Sequence, residues 1–299
     1  MQDESTKTKT ILDPEFLRKL ERLAVAAKRV HLGLAKGERR SKRKGVSVEF
    51  ADYRDYAQGD DTRFVDWNIY GRLDALFLKL FQEQEDLTVH LLIDASDSMA
   101  FGTPPKLEFA CKLAAAIGYI ALVGYDRVSV ETLSGAKPQR LLPCRGRASA
   151  GKLFTFIESI QAGGETSLER ACRSYVLRNR ARGVAVLMSD FFDPEGFEGC
   201  LRRLGQSRSD LYAIHILAPE EIDPELSGDL KLLDCETDTF VEISVSRALM
   251  RRYRQNRDGF CESLRRYCTA RGIGHFGVAS NADVERLTLE VLRKGGMLR

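Results

Sequence analysis

Residues 87–98 read LTVHLLIDASDS, and this stretch decides the fold class. Its first seven residues are an almost continuous apolar run, which is typical of a strand buried on both faces of a parallel sheet. The next five residues, Asp94-Ala95-Ser96-Asp97-Ser98, change to carboxyl and hydroxyl side chains with one alanine between them. The stretch therefore predicts a central strand that delivers oxygen-bearing side chains at its carboxyl end.

Outward from this strand, apolar runs that favour strands alternate with segments of helical spacing. Predicted strands cover residues 76–81, 87–93, 126–133, 184–188, 211–217 and 273–278, and a hairpin covers residues 230–243. Predicted helices cover residues 14–29, 106–123, 148–160, 168–180, 194–204, 246–269 and 282–293. Buried strands that alternate with helices predict a three-layer, Rossmann-like α/β fold, with a mainly parallel central sheet and helices on both faces.

Polar side chains also follow a second predicted strand and form a turn between the two. Ser189 and Asp190 follow the strand at residues 184–188, and the turn Gly163-Gly164-Glu165-Thr166 precedes a helix. Ligands of open parallel sheets bind beyond the carboxyl ends of the strands, so we expect these elements to converge on one edge. Their carboxylates and hydroxyls suit Mg²⁺ or Mn²⁺ and suit zinc or copper poorly.

This Asp-x-Ser-x-Ser loop, the Gly-Gly-x-Thr turn and the later strand that ends in Asp resemble the metal-ion-dependent adhesion site (MIDAS) of von Willebrand factor type A domains. Matched by position, the resemblance implies a metal site made of Asp94, Ser96, Ser98, Thr166 and Asp190. It implies that Mg²⁺ (or Mn²⁺) there accepts an Asp or Glu of a protein partner as its last ligand. The alternative is that these side chains only cap helices and turns.

A second resemblance lies upstream of this site. The segments 48–56 and 59–67, followed by Arg72 and Lys79, look like the signature of the domain-of-unknown-function 58 (DUF58) family, over about residues 33–235. Bacterial members of this family carry a type A-like domain, and the resemblance implies association with MoxR-type AAA ATPases. Many members carry N-terminal membrane helices; no run of this chain approaches the roughly 20 apolar residues that a membrane span requires.

Charge and composition indicate how the chain is organised. Residues 28–44 carry eight basic residues and predict a loop, whereas residues 49–74 carry seven acidic ones. We therefore expect residues 1–84 to form an N-terminal segment that packs on a type A-like domain of residues 85–299. Arg54, Arg63 and Arg72 lie among the acidic residues and predict ion pairs that hold this segment to the domain, with a second cation site as the alternative for the acidic cluster. Trp67 is predicted to be a packing anchor for the segment.

Cysteine and histidine usage limits the classes of protein to be considered. Seven cysteines without a Cys-x-x-Cys pair argue against a disulfide framework or a zinc site. Reduced thiols and the lack of a secretory leader favour a cytoplasmic protein. His90 and His215 fall inside predicted strands, where a core histidine is the simpler interpretation.

Two other functions compete with cation-dependent interaction. A metal-dependent phosphoester hydrolase could use the same site, but an aspartyl phosphatase would carry an acid where Ser96 stands, and no other catalytic motif is present. A nucleic-acid-associated factor could use the basic loop and the arginines after Ser246, although a net charge of +3 gives that function little support. The sequence thus favours an interaction module that is not an enzyme and does not bind nucleic acid.

Partner selection would then depend on the surface around the metal. Phe101, Phe191 and Phe192 lie in the loops that leave the two strands. We expect at least one of Phe191 and Phe192 to be exposed as an apolar anchor beside the metal, with burial under the next helix as the alternative.

Overall fold

The structure is a computed structural model that describes residues 11–25, 48–58, 60–83, 87–133, 138–164, 167–179, 183–207, 209–226, 228–233 and 240–298. The described parts of Met1–Lys28 and Leu87–Arg299 form one compact unit, and those of Arg29–Asp86 form a second. Thr166 and the predicted basic loop at residues 28–44 lie outside the described residues.

The secondary structure alternates as the sequence pattern predicts, although the first helix is shorter than predicted and several short elements were not predicted. In chain order the elements are α1 (Pro14–Leu20), β1 (Val48–Asp55), α2 (Trp67–Leu73), β2 (Phe77–Glu83), β3 (Thr88–Ile93), α3 (Lys106–Val123), β4 (Arg127–Thr132), β5 (Arg140–Arg145), α4 (Ala150–Glu158), α5 (Leu168–Arg178), β6 (Gly183–Ser189), α6 (Glu198–Gly205), β7 (Ser209–Leu217), α7 (Pro219–Ile222), β8 (Gly228–Leu233), β9 (Phe240–Val245), α8 (Arg247–Ala270), β10 (Gly274–Ala279) and α9 (Val284–Arg286). A wider helical turn at Leu287–Leu292 follows α9.

The larger unit is built on one sheet. Its described strands pair in the order β10-β7-β6-β3-β4-β5. Within this described sheet the β4–β5 pairing is antiparallel and the other four pairings are parallel. Ile93, the last residue of β3, lies opposite Met188 of β6, so both strands end at the same edge of the sheet.

Helices cover both faces of this sheet. Val89, Leu91 and Ile93 of β3 pack into a core that contains Ile117 of α3. Leu92, which points to the other face, joins a second core together with residues of α5, α6 and α8. This alternation is the physical signature of a strand buried on both sides. The predicted three-layer, mainly parallel α/β fold is confirmed.

Two departures from the predicted elements have local explanations. The predicted helix at residues 14–29 ends at Leu20, and its Phe16 and Leu20 side chains are buried in the first core. Strand β5 was not predicted, because Pro143 lies within it. Proline cannot donate to a sheet ladder but is tolerated on an edge strand, and β5 is the last strand of the described sheet.

The C-terminal elements match their predictions closely. Strands β8 and β9 pair as an antiparallel hairpin. Ser246 caps α8, since its Oγ accepts a hydrogen bond of 3.1 Å from the Leu249 N–H.

No helix in the described parts of the chain is both long enough and apolar enough to cross a bilayer.

The two buried histidines of the larger unit follow the sequence interpretation. His90 and His215 are buried, and burial lowers the pKa of each to about 4. Six cysteines are free among the described residues. Both histidines are therefore neutral core residues near pH 7.

The smaller unit has a two-stranded antiparallel sheet of β1 and β2. Asp66 links it to α2: its carboxylate accepts hydrogen bonds from Tyr53 Oη and from the Asn68 N–H. Trp67 exposes 61% of its surface, so the prediction that Trp67 is a packing anchor is wrong. The physical reason is that a sheet of two strands offers little surface for a large ring to cover.

Two of the three arginines form ion pairs within the smaller unit, and the expectation that such pairs hold the segment to the larger domain stays a prediction. Arg54 Nη2 lies 3.0 Å from Asp60 Oδ1, and Arg63 Nη2 lies 2.5 Å from Asp61 Oδ2. Each pair joins residues only a few positions apart, so both pairs organise the loop between β1 and α2.

Candidate metal centre

The two strand ends of the candidate site meet where the sequence predicts. Asp94 follows β3 and Asp190 follows β6, and the Asp94 N–H donates a hydrogen bond of 2.9 Å to the Met188 carbonyl. Both carboxylates are fully buried. Neighbouring parallel strands thus bring together two acidic residues that are 96 positions apart in the chain.

Hydroxyl groups surround the Asp94 carboxylate. Its Oδ1 accepts hydrogen bonds from Ser96 Oγ at 2.8 Å and from the Ser96 N–H at 3.1 Å, and its Oδ2 accepts one from Ser189 Oγ at 2.6 Å. Ser96 Oγ also lies 3.1 Å from Ser98 Oγ. These bonds fix the Asp94 carboxylate and place the three predicted oxygen ligands of this loop in one cluster.

The glycine turn reaches the same edge. The Gly163 N–H donates to the Ala95 carbonyl at 2.8 Å, and the Gly164 N–H donates to Asp97 Oδ2 at 3.0 Å. Asp193 fixes the far side of the turn, because its carboxylate accepts the Leu168 N–H at 2.7 Å. The turn that leads to Thr166 is therefore held against the Asp-x-Ser-x-Ser loop, while Thr166 itself lies outside the described residues.

A positive charge beside the buried carboxylates would be electrostatically favourable at this site. Burial, reinforced by the nearby Asp190 carboxylate, raises the pKa of Asp94 to about 6 despite its hydrogen bonds. A raised carboxyl pKa means that the ionised form is disfavoured until a cation balances it.

The structure supplies one such cation that the sequence analysis did not identify. The Lys106 side chain is only 1% exposed, and its Nζ lies 2.6 Å from Asp190 Oδ2 and 2.6 Å from Glu221 Oε1. Burial alone would lower the pKa of Lys106, but Asp190 and Glu221 outweigh it and raise that pKa above the usual lysine value. One signal was available: a lysine in the first turn of α3 opposes the helix dipole, which favours acidic residues there.

Glu221 reaches the site from a third strand end. It lies in α7, directly after β7, and its Oε2 accepts a hydrogen bond of 2.7 Å from the Ala218 N–H. Asp94, Asp190 and Glu221 with the Lys106 ammonium carry a formal charge of −2 when all are ionised. A divalent cation would balance that charge.

Aromatic rings lie on the outer side of this cluster. Phe101 and Phe192 are 50% and 39% exposed, and their ring centroids lie 6.0 Å and 5.6 Å from Lys106 Nζ. Phe191 has a positive φ of 60° and is fully buried, with its ring 5.9 Å from the His215 ring. The prediction that at least one of Phe191 and Phe192 is exposed is confirmed by Phe192, and Phe191 follows the alternative of burial.

The donor chemistry fits a hard divalent cation. Carboxylate and hydroxyl oxygens are the ligands that Mg²⁺ and Mn²⁺ prefer. In the part of the chain that the structure describes, no three His, Cys, Asp or Glu side chains form a group that could hold a metal. Two carboxylates supplemented by serine hydroxyls fit Mg²⁺ rather than zinc, and Lys106 shares one of those carboxylates.

The chain is similar to a protein family and to several mycobacterial proteins. A family model described as "Protein of unknown function DUF58" matches residues 52–259. Uncharacterised proteins of Mycobacterium tuberculosis and Mycobacterium bovis are each 28% identical to the chain over 242 residues, which is 79% of this chain and 76% of the relative.

Solved structures similar to the chain include two with nearly full coverage of the other protein. The conserved hypothetical protein BatB from Bacteroides thetaiotaomicron aligns with a TM-score of 0.40 at 13% identity, over 70% of this chain and 98% of that chain. The SpRpn10 VWA domain aligns with a TM-score of 0.39 at 14% identity, over 67% of this chain and 91% of that chain.

Proposed function

The chain belongs to the DUF58 family, as the sequence resemblance predicted, and we propose that it is a divalent-cation-dependent protein interaction module. The observation that carries the proposal is the buried oxygen cluster at the shared carboxyl ends of β3 and β6. Asp94, Ser96 and Ser98 are linked there by hydrogen bonds of 2.8 and 3.1 Å, beside Asp190.

Asp94, Ser96, Ser98 and Asp190 would hold the cation, and Thr166 is assigned to it from its place in the matched motif. When bound, Mg²⁺ (or Mn²⁺) supplies an open coordination position that accepts a carboxylate oxygen. The chain's own residues do the rest. Ser189 and the Ser96 N–H orient Asp94, and the N–H groups of Gly163 and Gly164 hold the turn against the same loop by donating to the Ala95 carbonyl and to the Asp97 carboxylate.

The same geometry argues against use of Asp94 as a phosphatase nucleophile. Both of its carboxylate oxygens already accept hydrogen bonds, and the group is fully buried. A nucleophile needs an accessible oxygen in line with its substrate. A partner needs only to reach the outer side of the cluster, where Phe101 and Phe192 are exposed.

The proposed partner is a protein that presents an Asp or Glu between these two rings. On the family resemblance, that protein is a MoxR-type AAA ATPase or a protein on which the ATPase acts. An exposed ring next to a buried charged group is a combination that concentrates binding energy in a few residues.

Calorimetry with Mg²⁺ or Mn²⁺ on chelator-treated protein tests the metal site. We expect one site in the wild type and no measurable binding by the Asp94→Ala/Asp190→Ala double variant, because the donor set is lost. Glu195→Gln is the matched control, since Glu195 is exposed in the loop that follows Asp190 but is not a proposed ligand. Equal binding by the double variant would refute the site.

Capture of a purified MoxR-type ATPase in Mg²⁺ and in EDTA tests the interaction. We expect capture only with Mg²⁺, and a loss of about 1 to 3 kcal/mol in binding for Phe101→Ala or Phe192→Ala with unchanged metal affinity. Leu142→Ala is the control, because Leu142 is exposed on the edge strand β5. Turnover of a generic phosphoester that disappears with Asp94→Ala would favour the hydrolase instead.

A further inference from the structure

We propose that Lys106 is an internal cation that neutralises Asp190 in the metal-free site and gives up Asp190, while keeping Glu221, when a divalent cation binds. This inference rests on the proposed metal site and concerns how that site is regulated. Lys106 is not one of the residues of the metal-ligand motif, and the inference gives this buried lysine a role.

Lys106 is held in a way that an ordinary surface lysine is not. Its side chain is 1% exposed, and its ammonium bridges Asp190 and Glu221 at 2.6 Å on each side. A buried charge is costly unless it is paired, so the two carboxylates explain why the lysine can lie inside. The partners follow β6 and β7, 84 and 115 positions further along the chain than Lys106.

The lysine and a metal ion would need the same oxygen. Asp190 Oδ1 accepts a hydrogen bond of 3.1 Å from the Phe192 N–H, so Oδ2 is the oxygen left for a cation. Lys106 Nζ is bound to that Oδ2. A magnesium ion would bind a carboxylate oxygen at about 2.0 to 2.1 Å. An ammonium that stayed on the same oxygen would face a divalent ion at short range and be strongly repelled.

Glu221 gives the displaced ammonium a place to remain. Its Oε2 is anchored by the Ala218 N–H at 2.7 Å, and its Oε1 already contacts Lys106 Nζ. Lysine has a flexible four-carbon stem, so Nζ can leave Asp190 through side-chain rotation alone. The exchange therefore needs no change in the backbone of α3.

The metal affinity of this site is therefore lower than it would be if its oxygen ligands were free of Lys106. Each binding event must replace an existing ion pair, so Lys106 acts as a competitor built into the chain. Glu221 acts in the opposite direction, because it draws the ammonium away from Asp190.

Calorimetry with Mn²⁺ on the chelator-treated full chain tests this competition. Lys106→Met should bind Mn²⁺ at least about tenfold more tightly than the wild type, since a positive charge next to the ligand oxygen is gone. Glu221→Gln should bind it several-fold more weakly. Lys112→Met is the matched control on the same helix, because Lys112 is partly exposed and pairs only with Glu108 among the described residues. The Mn²⁺ affinity of this variant should equal that of the wild type.

Lysine-selective ¹⁵N NMR of the wild type covers the case in which Lys106→Met does not fold without metal. The Lys106 Nζ signal, assigned by its loss in Lys106→Arg, should shift as Mg²⁺ is added, at the calorimetric stoichiometry, while the Lys112 signal stays in place. An unshifted Lys106 signal in a protein that binds Mg²⁺ would overturn the inference.

The outcomes separate this inference from the proposed function. Equal Mn²⁺ affinities of the wild type and Lys106→Met, with binding lost in Asp94→Ala/Asp190→Ala, would overturn the competition and leave the metal site. Binding by Lys106→Met but not by the wild type would overturn cation dependence of the natural protein and support Lys106 as its resident cation. Absence of binding in all of them would overturn both.

Discussion

The larger unit buries charged residues at its site edge, whereas the smaller unit exposes large apolar residues. At the site edge, Asp94, Asp190 and Lys106 are charged and fully or almost fully buried. In the smaller unit, Trp67 and Leu73 are apolar and more than half exposed.

Core size explains this difference. A sheet covered by helices on both faces has enough apolar surface to tolerate buried charges, provided that these charges pair with one another. Two strands and a short helix bury too little to cover their own aromatic side chains. The contrast indicates that the larger unit can hold paired charges inside its core, whereas packing in the smaller unit is marginal.

Replacing a glycine in each unit should give the largest difference. A Cβ on Gly183, in β6, would lie 1.8 Å from the Thr88 carbonyl oxygen, whereas a Cβ on Gly71, in α2, meets no atom within 4 Å. We expect Gly183→Ala to lower the free energy of unfolding by more than about 4 kcal/mol or to prevent folding. Gly71→Ala should be neutral or stabilising by up to about 1 kcal/mol, because alanine favours helix.

Urea unfolding followed by far-ultraviolet circular dichroism measures both glycine variants. A fully stable Gly183→Ala protein would contradict the close approach of β3 and β6 at Thr88 and Gly183, where the two strands begin.

Truncation of a large apolar side chain in each unit should give the next largest effect. Leu92→Ala removes buried atoms of the second core and should cost about 2 to 5 kcal/mol. Trp67→Ala should cost less than about 1 kcal/mol, because the ring is mostly exposed. The same urea titrations provide the comparison. Equal losses would mean that Trp67 is buried in solution and would restore the packing anchor that the sequence suggested.

The pH dependence of the metal-free protein should show the smallest of the three effects. The pKa of Asp94 is about 6 in the folded protein against an ordinary 3.8, so the protonated form stabilises the fold, and this stabilisation is lost as pH rises through 6. Between pH 5 and pH 7 the loss is about 1 kcal/mol by proton linkage.

Comparison with Asp94→Ala isolates this effect. His90 and His215 have lowered pKa values, so their contribution is present above pH 6.5 and is lost as pH falls towards 4, which is the opposite direction. Subtraction of the Asp94→Ala stability at each pH in EDTA removes the histidine contribution. A wild type that is not destabilised relative to this variant between pH 5 and pH 7 would contradict the raised pKa.

The sequence predicted the fold well where local patterns are strong. Helix α3 begins at Lys106 and ends at Val123 as predicted, and β3, β6, β7 and the cap at Ser246 lie within two residues of their predicted positions. Hydrophobic periodicity and capping residues are properties of neighbours in the chain, so the sequence displays them directly. Strand β1 and helix α2 were not predicted, because their acidic and polar residues obscure the hydrophobic periodicity.

The candidate site was predictable only in part. Asp94, Ser96, Ser98 and Asp190 could be placed together, because parallel strands end at a common edge and the residues follow those strands directly. Which Phe is exposed could not be predicted, since Phe191 and Phe192 are adjacent and only the positive φ of Phe191 sends them to different sides.

By itself the sequence determined the layered α/β fold, the family and the set of oxygen-bearing side chains at one sheet edge, because each of these is recorded in residue type and short-range spacing. The tertiary structure alone decided that Lys106 lies inside that edge and that Trp67 lies outside its own unit's core. A lysine at the start of a helix is ordinarily solvated. Here two carboxylates 84 and 115 positions away, brought near by β6 and β7, pair with it and offset the cost of removing its charge from water. Pairing between distant residues leaves no period in the sequence, so it becomes visible only when the sheet has formed.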